Sequence, residues 1–140
     1  MKVFLGGTCN NSEWRADIIG MLTIDFFNPV VKDWTPSCQE EELRQREVCD
    51  FCLYTITPKM TGAYSVAEVV DDSNKRPDKT IFVPLLKDVD YANDVKLSFT
   101  DGQWRSMLAV AKMVEGNGSK VFYTLQEAAD YMNRKSSNKG

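Results

Sequence analysis

At 140 residues the chain is long enough for one domain with its own core, and a formal net charge of −3 gives it no basic footprint for a nucleic-acid polymer. With no histidine at all, His-based triads, His general bases and most catalytic zinc sites are excluded in one step. The hydrophobic content of 43% and charged content of 26% are ordinary for a soluble globular protein, and the short apolar run after Met1-Lys2 suits neither a signal peptide nor a membrane span, so a cytoplasmic protein with no membrane partner is expected.

Residues 3–7, Val-Phe-Leu-Gly-Gly, read as a buried strand that ends in glycines. Asn11 to Arg15 offers N-cap chemistry for a helix reaching about Leu22, with Trp14, Ile18 and Met21 at helical spacing. Residues 23–27 make a second short strand, closed by Asn28-Pro29, and 28–36 a loop. Residues 39–48, dense in Glu, Arg and Gln, predict a largely solvated helix. The run 51–57 has the length and composition of a buried strand; Pro58 and Gly62 then punctuate a turn before a helix over 62–72. Asp71 to Pro77 ends that helix, 80–85 form a fourth strand, and 88–100 have weak periodicity and predict an irregular insertion. Residues 101–115 place Trp104, Met107, Leu108, Ala111 and Val114 on one helical face before the Gly116-Asn117-Gly118 stop. A strand over 120–123 and a helix over 124–132, opened by a Thr-x-x-Glu capping box, complete the domain. The alternation implies one α/β domain over 1–135, followed by a disordered tail at 136–140. Its core is a doubly wound, about five-stranded, mainly parallel sheet in a flavodoxin- or Rossmann-like three-layer sandwich. The first and third strands, being most apolar, are expected near its centre.

In such sheets ligands bind outside the carboxyl ends of the strands, at the switch point in strand order. That singles out Gly6-Gly7-Thr8-Cys9, the stretch from Asn28-Pro29 to Trp34, and the stretch from Pro58 to Ser65. The G-x-G-x-x-G and Walker A spacings are absent, and no cofactor is expected. Cys49-Asp50-Phe51-Cys52 falls where a helix ends and a strand begins, the wrong polarity for a redox thiolate. Cys9, Cys38, Cys49 and Cys52 also lack a second close pair, so they read as structural thiols and no metal is expected. Glu68 lies one helical turn after Tyr64 and three residues after Ser65, so a phenol, a hydroxyl and a carboxylate could converge. On a helical wheel Val66 and Val70 mark the core side, with Ala63 and Ala67 nearby. Glu68 then falls on the solvated side unless a partner subunit covers it. Trp14 and Trp34 read first as packing residues.

Across nearly its whole length the chain resembles the nucleoside 2-deoxyribosyltransferase-like proteins. The matching parts are Val3-Phe4-Leu5-Gly6-Gly7-Thr8, Trp14-Arg15, Phe27-Asn28-Pro29 with Asp33-Trp34-Thr35-Pro36, Cys49-Asp50-Phe51, and Gly62-Ala63-Tyr64-Ser65-Val66-Ala67-Glu68. The resemblance implies a doubly wound fold and a helix-borne glutamate, matched by Glu68, that attacks the anomeric carbon of a nucleoside. Asp50 matches an acidic residue for base or sugar recognition, and Tyr64 or Ser65 is expected to orient Glu68. The expected catalytic set is Glu68, Asp50 and Tyr64, with Gly7, Thr8, Trp14, Arg15, Asn28, Trp34, Gly62 and Ser65 binding substrate; Arg15 is a candidate for the 5′ position. The chain departs from better-known members at Gly62, where they carry Asp or Ser, and at Val70, where they carry Gly. The expected partner is a nucleoside or nucleotide whose N-glycosidic bond is cleaved or exchanged. The alternatives are a non-catalytic module for a nucleotide or NAD-derived ligand and an interaction protein with no small ligand. Subunits that complete one another's sites, hence at least a homodimer with the 62–72 helix near the interface, are also expected from the resemblance.

Overall fold

Period-two burial in the apolar runs decides where the helices go. In the computed structural model, which describes residues 1–138, the strands are β1 (Lys2–Gly7), β2 (Asp25–Phe27), β3 (Phe51–Ile56), β4 (Thr80–Pro84), β5 (Lys87–Asp90), β6 (Val95–Ser98) and β7 (Lys120–Val121). Five of them form one all-parallel sheet in the order β2-β1-β3-β4-β7. Val3, Leu5, Phe51, Leu53, Ile81 and Val83 point to one face, under α1 (Trp14–Ile19) and α5 (Leu125–Ser137). Phe4, Cys52, Tyr54, Ile56 and Phe82 point to the other, under α3 (Tyr64–Lys75) and α4 (Asp101–Gly116). Strands covered on both faces can be apolar almost throughout, which is why these runs show no alternation of apolar and polar residues. Burying each such Leu or Phe is worth roughly 1.5–3 kcal/mol.

β3 lies at the centre of the sheet, with β1 and β4 as neighbours, and Gly6 and Gly7 sit beside Tyr54 and Thr55 in register. From β1 the chain first runs outward to β2, then crosses back through α2 (Pro36–Val48) to β3 on the other side of β1. The switch point therefore falls between the carboxyl ends of β1 and β3, where a ligand crevice is expected.

Several expectations change in detail. The segment expected as an irregular insertion, 88–100, contains most of an antiparallel hairpin, with Lys87 opposite Ser98 and Asp90 opposite Val95. Its alternation is hidden because no residue of either strand is buried, so no apolar stripe marks the period. Helix α1 stops at Ile19 and carries no side-chain cap, although the stretch from Asn11 to Arg15 was expected to supply one; Ser12 within it donates to Asp88 of the hairpin at 2.6 Å. Leu108, expected on the core face of α4, is exposed, whereas Met107, Ala111 and Val114 are buried. Ser136 and Ser137 belong to the last turn of α5, where Ser137 donates to the Asn133 carbonyl. The end of the expected tail, 139–140, lies outside the described residues. Among the described residues no helix is long and apolar enough to cross a membrane.

Candidate active site

Two glycines let the end of β1 lie flat against β3. A Cβ on Gly6 would come within 2.5 Å of the Tyr54 ring, and one on Gly7, at φ +127°, within 2.0 Å of the Thr55 carbonyl oxygen. The loop that follows is pinned to β3: Thr8 N–H donates to the Thr55 carbonyl at 2.9 Å, and Thr57 N–H donates to Thr8 Oγ1 at 3.0 Å. From α1, Trp14 Nε1 donates to the Thr8 carbonyl at 2.8 Å. Arg15 donates to the carbonyls of Leu5, Thr8 and Gly7 at 3.1, 2.8 and 3.2 Å, with its guanidinium 4.4 Å from the Trp14 ring centre. The buried Arg15 thus caps the carboxyl end of β1 while also lining the cavity. Burial lowers its pKa, with Cys9 acting in the opposite direction.

This frame opens into a cavity of about 180 Å³ with Gly6 and Gly7 on its floor and Arg15, Glu42, Tyr64, Ser65 and Glu68 around it. A second cavity of about 180 Å³ shares Gly7, Cys9, Tyr64 and Ser65 with the first and reaches Thr61 and Gly62. Helix α3 starts beside it with no side-chain cap on its first N–H groups.

Glu68 is not the solvated residue that its wheel position suggests. Its side chain is 12% exposed, with Arg46 Nη1 of α2 at 3.7 Å from Oε2. The wheel put Ala63 and Ala67 near the core, but both are exposed. The buried residues of α3 are Val69, Asp72 and Ser73, and α2 covers the side that carries Glu68. Cover thus comes from the same chain, so shielding this carboxyl does not by itself require a partner subunit. Burial raises the Glu68 carboxyl to about 7, with Arg46 and Arg15 opposing and Glu42 and Asp72 reinforcing the rise. Burial also pushes Glu42 upward, against the pull of Arg46 and Arg15.

The other expected site residues divide. Ser65 lines both cavities, Tyr64 stands 64% exposed at their mouth, and Gly7, Thr8 and Gly62 border them. Asn28 lies in an adjoining cleft with Arg15 and Val30, and accepts from Val30 N–H at 3.0 Å. Trp14 is buried in support of the loop, while Trp34 is 58% exposed and borders neither cavity. Asp50 does not join the group. It precedes β3, at the opposite edge of the sheet, where its carboxylate accepts from Lys2 N–H at 2.9 Å. Among the cysteines, Cys49 and Cys52 are buried donors to Gln45 and to the Arg46 carbonyl, and burial pushes the Cys52 thiol up to about 12.

Glu42, Arg46 and Asp72 were missed by sequence reasoning. Glu42 and Arg46 are four residues apart on a helix whose composition is polar all round. The pair was averaged into a solvated surface although Arg46 is buried. The available signal was position: α2 leads into β3, so one side of it must face the crevice.

A sequence model of the family described as nucleoside 2-deoxyribosyltransferase like matches residues 1–84, which hold β1 through β4 and every residue of the two cavities. No curated protein and no solved structure gives a significant match.

Proposed function

The chain belongs to the nucleoside 2-deoxyribosyltransferase-like family, and on that premise we propose that it breaks the N-glycosidic bond of a nucleoside or nucleotide through a covalent ester on Glu68. The observation that carries the reading is the position of Glu68, a shielded carboxyl in a cavity at the switch point, beside a glycine floor that leaves room for a sugar. A Glu68 carboxylate oxygen bonds to C1′ as the C1′–N bond breaks. The bonding pair leaves with the base nitrogen, which takes up a proton. An acceptor base or water then attacks C1′, the carboxylate is released, and the attacking nitrogen or oxygen gives up its proton to a base or to solvent. The transition state has oxocarbenium character, so an anion at this point stabilises it as well.

Glu42, rather than Asp50, is the carboxyl placed to give the departing base its proton. It borders the same cavity, and burial keeps its carboxyl protonated to higher pH than an exposed glutamate. Glu42→Gln is expected to reduce kcat about 100-fold. A variant with an unaltered rate would remove Glu42 from the reaction.

The test of the whole reading is base release from purine and pyrimidine nucleosides and their 5′-monophosphates, with and without an acceptor base, followed by chromatography. Monophosphates belong in the panel because an uncapped helix start favours a nearby anion. Since only the ionised carboxylate attacks, the rate should fall about tenfold per pH unit below about 7, where Glu68 becomes protonated. No base release from any of them, or a limb in the usual carboxylate range, would sink the reading.

A further inference from the structure

The guanidinium of Arg46 is used asymmetrically. Nε and Nη2 donate to Oδ2 and Oδ1 of Asp72 at 3.1 and 2.8 Å, and Nη2 also donates to Asp71 at 3.0 Å. Asp72 is fully buried and is held in turn by the Tyr54 hydroxyl and by Arg76. Nη1 takes no part in this fork, and its charged neighbour is Glu68. A guanidinium is planar and rigid, so anchoring two of its corners fixes the direction of the third.

Resting on the reading of Glu68 as nucleophile, we propose that Arg46 is a positioning residue: Asp72 and Tyr54 hold its guanidinium so that Nη1 faces the Glu68 carboxylate and fixes its direction. The groups that face Glu68 are Arg15 from α1, Glu42 and Arg46 from α2, Tyr64, Asp71 and Asp72 from α3 itself, and Cys9 across the cavity; Tyr54 of β3 acts through Asp72. Burial and the acidic neighbours oppose ionisation. Arg46 is the closest group that favours it, and it acts across only 3.7 Å with most water excluded. A buried nucleophile without such a cation would be protonated, and inert, over much of the neutral range. The fork on Asp72 matters because a freely rotating cation would pair with the substrate or with Glu42 instead.

The test is a ¹³C titration of the Glu68 carboxyl in glutamate-labelled protein, assigned by its absence in Glu68→Gln, alongside the pH profile of base release. Arg46→Met should raise the Glu68 midpoint by about one unit or more, and move the acid limb by the same amount. Tyr54→Phe keeps every charge and loosens only the tether. It should lower kcat with KM unchanged and raise the midpoint by less. An unmoved midpoint in folded Arg46→Met overturns the proposal. If that variant does not fold, Tyr54→Phe decides, and an unmoved midpoint with unmoved kcat overturns it. The titration needs no turnover, so an inactive wild type would sink the proposed reaction while the response of Glu68 to Arg46 is still read.

Discussion

Glu68→Gln should lower base release by roughly 10³-fold or more while making the folded chain more stable at alkaline pH. The amide nearly preserves size and still hydrogen-bonds, but it offers C1′ no anionic oxygen, so the ester cannot form and binding is largely kept. The stability arm follows from linkage. The folded-state carboxyl is raised to about 7 from an ordinary 4.5, so the folded chain binds the proton more tightly than the unfolded one. The stability this contributes is fully present below the unfolded value. It is lost as pH rises from there through the folded value. Glutamine mimics the protonated form and escapes that loss. Allowing for partial exposure, the variant should exceed the wild type by about 1–2 kcal/mol at pH 8, with no gain near pH 4. Urea denaturation at the two pH values, run beside the base-release assay, reads both arms. Equal turnover by the two proteins would rule out Glu68 as nucleophile. Equal stability at pH 8 would mean that the carboxyl is hydrated rather than shielded. Opposite movements of activity and stability are the expected mark of a residue kept for chemistry.

What the sequence made legible, and what it hid, follows from how far each signal reaches along the chain. The runs of β1, β3 and β4 announced themselves because strands covered on both faces are nearly continuous in apolar residues, and the helices between them then required parallel pairing. The glycines of β1 were visible as a strand end, whereas the reason for them, the close approach of Tyr54 and Thr55, exists only after β3 has paired. Glu68 was found through a motif and misjudged by a wheel. A wheel assigns one apolar face, but α3 is buried on two sides, by the sheet through Val69 and by α2 through Arg46. Asp50 was placed in the site by the family resemblance alone, although it stands at the amino end of β3 and the cavities at the carboxyl end. Glu42 and Arg46 were illegible for the same reason that made the fold easy: their helix is polar all round, and only the crossing from β2 to β3 turns one edge of it inward.

Asp72→Ala should cost about 3–5 kcal/mol of folding stability, a large share of the 5–15 kcal/mol typical of a domain. The carboxylate accepts from Arg46 twice, from Tyr54 and from Arg76, so it ties α2 and β3 to α3 from a position with no solvent access. Removing it leaves the Arg46 guanidinium without its main partner and the Tyr54 hydroxyl without an acceptor, and both are buried. Unpaired buried charge is the costly element, since desolvation persists when the attraction has gone. It follows that Asp72→Leu combined with Arg46→Met should cost clearly less than the sum of the two single changes, because neither charge is then stranded. Urea midpoints at constant slope measure all of these variants. A loss below about 1 kcal/mol for Asp72→Ala would show that water or Glu68 takes over the cation, and strict additivity would show that the two residues act independently. If the paired apolar change does recover stability, the fold has no need of the ion pair. The reason for keeping two buried charges beneath the cavity is then the carboxyl at its edge, since Glu68 is the group whose ionisation Arg46 controls.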